Sequence, residues 1–202
     1  MQPFPAALIL TSVPFMASMG FTPGPNNIMV ATSGVNFGFR GTVPHILGVT
    51  FGYPFMLLLV GLGLAKVFTL MPITHEILKY VCIVYLVYLA WRIATAAPLG
   101  EGRRSARPLG FWQAVAFQWV NAKGWVTALS VVTTYTSVTS PMVAQVLALA
   151  IIASLVTMGS MLTWTLGGTV LRRYLRTDRH RRLFNYSMAT LLLLSVLPVL
   201  FE

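Results

Sequence analysis

Carboxylates are the scarcest useful group in this chain: its 202 residues hold four Asp and Glu against fourteen Lys and Arg. Glu76, Glu101, Asp178 and Glu202 all fall in connections, at segment edges or at the terminus, so no apolar segment contains an acid. That excludes a small multidrug-type cation carrier, which needs an intramembrane carboxylate to hold drug and proton. The single cysteine, Cys82, excludes an intrachain disulfide and any relay that passes a disulfide between two thiols. His45, His75 and His180 are scattered, so neither a metal, a cofactor nor an intramembrane enzyme is expected. Charge of either sign is sparse at 9%, whereas 56% of residues are hydrophobic and mean hydropathy is +0.77. A soluble domain carries ~25% charged residues, so this composition cannot build a water-facing surface. The net charge of +10 does not signal nucleic acid, because the basic residues stand between apolar runs and not on one polar face.

What is present is an all-α membrane pattern. Charges and turn residues divide the chain into six apolar segments, 5–35 (broken), 42–65, 73–92, 109–135 (interrupted), 142–170 and 183–201, each long enough for the roughly 20 residues a bilayer requires. The N-terminus lacks a positive region and an Ala-x-Ala site, so the first segment is expected to stay as a span. Phe68 to Thr74 reads as a bend, Arg92 to Pro108 as a polar loop, Thr136 to Pro141 as a tight turn and Arg172 to Arg182 as a basic loop. Arg40, Arg92, Arg103, Arg104, Arg107, Arg172, Arg173, Arg176, Arg179, Arg181 and Arg182 fall in or beside the first, third and fifth connections. Only Lys66 and Lys79 border the second, and the fourth has none. This eleven-to-two partition places the odd connections in the cytoplasm and both termini outside.

The first span is broken. Phe21-Thr-Pro-Gly-Pro-Asn-Asn-Ile-Met-Val30 puts two prolines around a glycine, and each proline removes a backbone N–H and clashes with the preceding turn. In lipid, such a break is tolerated where protein or water re-satisfies the freed carbonyls, and broken helices of this kind mark transport sites. Gln118-Trp-Val-Asn-Ala-Lys-Gly124 occupies the matching place in the fourth span, and Thr50-Phe-Gly52 has a counterpart in Thr157-Met-Gly159. The expected architecture is one permease domain of six transmembrane helices, built as two inverted three-helix repeats over 1–97 and 98–202, with spans one and four interrupted.

At these residues the chain resembles the LysE/RhtB family of amino-acid and metabolite exporters. The resemblance rests on Thr22-Pro-Gly-Pro-Asn-Asn27, Gly38-Phe-Arg-Gly41, Tyr85-Leu-Val-Tyr-Leu-Ala-Trp91 and Phe117-Gln-Trp-Val-Asn-Ala-Lys123. It implies a small permease of the bacterial inner membrane that exports amino acids or their derivatives, driven by the proton gradient. Many members carry Asn-Pro-Lys where this chain has Asn121-Ala122-Lys123; the form without proline is similar to the subgroup exporting cysteine and O-acetylserine. Exporting lysine or arginine would call for a buried acid, so a neutral substrate of the cysteine, O-acetylserine, homoserine or threonine kind is expected, and no lysine efflux. A homodimer is the expectation for so small a permease, and an apolar assembly or scaffold subunit is the rival reading.

Candidate substrate-binding residues are Thr22, Pro23, Gly24, Pro25, Asn26 and Asn27 in the first break and Gln118, Asn121 and Lys123 at the second, with Tyr85 nearby. An asparagine offers both an acceptor and two donors, so Asn26 and Asn27 either meet a substrate or merely cap the restarted helix and satisfy the break. Lys123 is the one charge well inside an apolar segment. It neutralises carbonyls of the first break, pairs with a substrate carboxylate, or snorkels to the interface. His45, near the entry to span two, is the candidate for proton coupling. Tyr53, Tyr88, Trp119 and Trp125 either line a cavity, pack, or anchor at headgroups. Gly61, Gly63, Gly167 and Gly168 read as small residues that let helices approach closely.

Overall fold

A computed structural model describes residues 6–64, 70, 72–96, 108–137, 139–175 and 177–195. Lys66, Phe68, Glu101, Arg103, Arg104, Arg107, Arg176 and Glu202 lie outside the described residues. Within them all regular structure is helical: α1 (Ala6–Leu10), α2 (Ser12–Phe21), α3 (Pro25–Leu59, prolonged by a π-helical turn Val60–Leu64), α4 (Pro72–Ala94), α5 (Phe111–Trp119), α6 (Ala122–Tyr135), α7 (Met142–Arg172) and α8 (Asp178–Leu194). Two stretches, Pro25–Leu64 and Met142–Arg172, are long and apolar enough to cross a membrane.

The first connection is shorter than its sequence suggests. The connection between the first two apolar segments is made at Gly38 alone, where α3 turns with φ 75° and ψ 177°, a conformation that a Cβ would oppose. The chain folds back there: Ser33 and Thr42 hydroxyls lie 2.9 Å apart, whereas nine residues of straight helix would separate them by about 13 Å. Arg40 therefore begins the second arm, and Arg172 Nη1 lies 2.9 Å from where a Gly38 Cβ would stand. The Thr136–Pro141 turn is clipped by Gln145, whose amide donates to the Ser137 and Ser140 carbonyls while its oxygen accepts from the Ser137 N–H.

Apolar side chains face outward as well as into the core. Gln118, Gln145, Ser160 and Thr42 are fully buried, while Leu155, Val84, Ile151 and Trp112 are more than 60% exposed. Large apolar side chains facing outward over hydrogen-bonded polar ones suit a hydrocarbon surrounding. The first arm of α3 crosses α7 at backbone contact. A Cβ on Gly34 would stand 2.6 Å from the Thr165 carbonyl, and one on Gly168 would strike the Ala31 carbonyl. Gly61 does the same against the Val146 side chain, whereas Gly167 meets nothing within 4 Å. Gly63 serves a turn instead, at φ 115°. One apolar cluster joins the second arm of α3 to α6 and α7 through Met56, Leu57, Ala128, Val146 and Leu149. Another joins the first arm to α4, α5 and α8 through Met29, Leu86, Leu89, Phe117 and Leu192.

Candidate functional site

The two helix breaks face each other. Pro23 and Pro25 carry no N–H, so the carbonyls they would serve in a regular helix must find other donors. The Gly20 carbonyl accepts from Ser160 Oγ at 2.7 Å and from Asn27 Nδ2 at 2.9 Å. Trp164 Nε1 donates to Phe21 O at 3.3 Å. Thr22 O takes Asn27 Nδ2 at 3.0 Å and Lys123 Nζ at 2.7 Å, and Pro23 O lies 3.5 Å from Lys123 Nζ. Gly24 O accepts from the Ile28 N–H and opens α3. Every carbonyl from Gly20 to Gly24 is thereby occupied, with three of the donors reaching in from α6 and α7.

Asn26 and Asn27 do not cap the restarted helix. Gly24 holds the cap position and Pro25 follows it, a place where proline's missing N–H costs nothing. The asparagines stand in the first turn, and Asn27 reaches back to the carbonyls of the preceding helix. Asn26 instead forms a reciprocal amide pair with Gln118: Nδ2 donates to Oε1 at 2.9 Å, and Gln118 Nε2 donates back at 3.2 Å. In the second break α5 ends at Trp119 and α6 restarts after Asn121, at φ −96° and ψ 95°. Trp125 Nε1 covers the Trp119 carbonyl at 2.9 Å. The contacts Phe15–Tyr135, Thr22–Lys123 and Asn26–Gln118 pair rising with falling numbers, so the two interrupted helices run antiparallel.

Between the breaks lies a cavity of about 70 Å³ lined by Gly24, Pro25, Asn26, Asn27, Asn121 and Lys123 from the two motifs. That is room for on the order of five waters or a small solute. Tyr53, Thr127, Thr157, Ser160 and three methionines are also in the wall. The side chain of Asn121 is buried and its Oδ1 has no protein partner; the Tyr53 hydroxyl is likewise unpaired. Thr22 and Pro23 contribute carbonyls to Lys123 and are not wall residues, and Gln118 acts from behind through Asn26. Tyr85 is elsewhere, its ring 5.9 Å from that of Phe117. His45 is also apart: it is 1% exposed, neither ring nitrogen has a hydrogen-bond partner, and it lines a second cavity with Ser33, Asn36 and Arg92. Ser160 and Trp164 escaped the sequence reading, since one serine or tryptophan in a helix gives no sign of which carbonyl it serves. Among the described residues no group of three His, Cys, Asp or Glu stands close enough to hold a metal.

The Lys123 ammonium and the first-turn amides of α3, which lack intrahelical acceptors, give the wall donors. Asn121 Oδ1 and the Tyr53 oxygen supply acceptors. Such a wall suits a molecule bearing both a carboxylate and an ammonium.

Comparison with known proteins finds relatives over most of the chain. The chain is 27% identical over 172 residues to the cysteine/O-acetylserine efflux protein of Escherichia coli O139:H28, covering 85% of this chain and 87% of that protein. Proteins of the same name from Escherichia coli K12 and Shigella flexneri are 28% identical over 171 residues, 85% of this chain and 86% of theirs. No solved structure matches. The family model described as LysE type translocator matches residues 17–200, a span that contains both breaks and the cavity between them, and the chain belongs to that family of transporters.

Proposed function

We propose that this protein exports a small neutral zwitterion, an amino acid or derivative of the cysteine or O-acetylserine kind, across the bacterial inner membrane. The observation that carries the reading is the cavity walled by both helix breaks, whose lining includes Lys123 together with Asn121 and Tyr53, the Asn121 Oδ1 and the Tyr53 hydroxyl being unpaired. The substrate carboxylate docks against the Lys123 ammonium and the first-turn amides of α3. Its ammonium takes Asn121 Oδ1 and the Tyr53 oxygen. Lys123 holds Thr22 O in the structure, so an arriving carboxylate competes with the break itself for that cation. Substrate occupancy and the geometry of the break are thereby linked, as alternating access requires.

Six spans arranged as two inverted repeats, with both termini outside, complete the proposal. The antiparallel course of the interrupted helices supports the repeat. Arg172 against the Gly38 corner, with Arg92 in the cavity beside Phe37, gathers cations at one end, the cytoplasmic end by the positive-inside rule. His45, buried at that same end, is the group assigned to proton coupling.

The test is reconstitution into proteoliposomes with labelled O-acetyl-L-serine, L-cysteine, L-threonine and L-lysine, with and without an imposed pH gradient. Gradient-stimulated movement of a neutral substrate and none of lysine is expected. Lysine movement, or transport of nothing, would refute the reading.

A further inference from the structure

We infer that the second cavity is a separate binding site for a small zwitterion, loaded before the passage between the breaks; the choice of ligand rests on the export reading above. Its volume is about 50 Å³, and it shares no wall residue with the first cavity. Asn26 borders one and Ser33 the other, about 10 Å apart along the first arm of α3.

Three groups in the wall, His45, Ser33 and Asn36, have hydrogen-bonding capacity left over. Buried polar atoms are normally paired, yet His45 is 1% exposed with both ring nitrogens unpartnered. A neutral imidazole there offers one donor and one acceptor. Thr42 spends its only hydroxyl proton on the Gly38 carbonyl at 2.9 Å, so Ser33 is the donor in the 2.9 Å Ser33–Thr42 contact. The Ser33 oxygen keeps its accepting lone pairs. Asn36 likewise gives its amide nitrogen to Asn185 Oδ1 at 3.0 Å, which leaves its carbonyl as an acceptor. Arg92, from α4, completes the wall with a cation and lies 6.0 Å from the Tyr88 ring centroid. Acceptors from Ser33 and Asn36 suit an ammonium, and Arg92 with the His45 N–H suits a carboxylate. Among the described residues no carboxylate borders this cavity. The site stands at the end where Arg40, Arg92 and Arg172 gather, the end from which an exported solute enters.

The experiment is equilibrium dialysis of labelled O-acetyl-L-serine against the purified full chain in detergent. Two bound molecules per chain are expected. Ser33→Leu, which fills the second cavity, and Arg92→Gln, which removes its cation, should each leave one; Asn121→Leu should remove the other. Helical circular dichroism and gel filtration identify any variant that fails to fold, and Arg92→Gln, altering a partly exposed side chain, then decides alone. A single site abolished by Asn121→Leu and untouched by Arg92→Gln would overturn the inference and leave the export reading standing. No binding to the wild type would end both.

Discussion

Lys123 Nζ donates to the Thr22 carbonyl at 2.7 Å across 101 residues of sequence, joining the second helix break to the first. Each break alone would leave its backbone carbonyls poorly served in lipid. Together, one supplies the cation and the other the carbonyls.

Replacing that cation separates its roles. A hydrogen bond from a charged donor contributes roughly 1.5–3 kcal/mol, so Lys123→Met should lower transport by about ten- to a hundred-fold. Lys123→Arg should recover part of the loss, since it keeps the charge and changes the reach. Initial efflux rates from proteoliposomes measure both. Transport at the wild-type rate in Lys123→Met would remove this residue from the mechanism.

Gly24 sets how close Lys123 can come. A Cβ at this position would stand 2.9 Å from Lys123 Cδ and 3.1 Å from Nζ. Gly24→Ala should push the lysine off the Thr22 carbonyl and slow transport, and Gly24→Val should slow it further. Protein yield should change little, because the obstructing atoms belong to a flexible side chain. Equal rates in all three forms would show that Lys123 needs no such approach.

The amide pair Asn26–Gln118 predicts a non-additive result. Asn26→Leu leaves the buried Gln118 amide short of a partner and Gln118→Leu does the same to the half-buried Asn26, at a cost of about 1–3 kcal/mol where the orphaned group stays out of water. The double substitution removes both polar groups and should destabilise less than the sum of the singles. Thermal unfolding in detergent gives the coupling, expected at about 1 kcal/mol or more. A strictly additive double variant would mean that the reciprocal pair contributes nothing.

Gly167 and Gly168 are neighbours with opposite expectations. A Cβ on Gly168 would strike the Ala31 carbonyl, a backbone atom with no room to yield, whereas one on Gly167 meets nothing within 4 Å. Gly168→Ala should cost about 1–3 kcal/mol through overpacking, read as a lowered unfolding temperature. Gly167→Ala should be neutral. Equal stability of the two variants would contradict the crossing of α3 and α7.

Much of the site was legible from residue chemistry. Two prolines around a glycine announce lost donors wherever they occur, and a lysine inside an apolar run requires some partner. What escaped were the partners chosen through tertiary packing. Ser160 and Trp164 serve Gly20 and Phe21 from 140 and 143 residues away, a pairing that no local spacing encodes. Tyr85 looked equally suited to the cavity, but it packs on Phe117 because that ring closes the cluster between α4 and α5. The connection around Arg40 is bounded in the sequence by the segments 5–35 and 42–65, but sequence cannot show that one left-handed glycine, Gly38, makes its corner.

That corner has a mechanical consequence. With a single residue at the elbow and the Ser33–Thr42 contact bracing it, the two arms of α3 have no slack between them. Asn26 rides on one limb, His45 and Tyr53 on the other, so a tilt of either limb is felt in both hollows at once. Pro44 and Pro54, beside His45 and Tyr53, are the places within the second limb where it can bend.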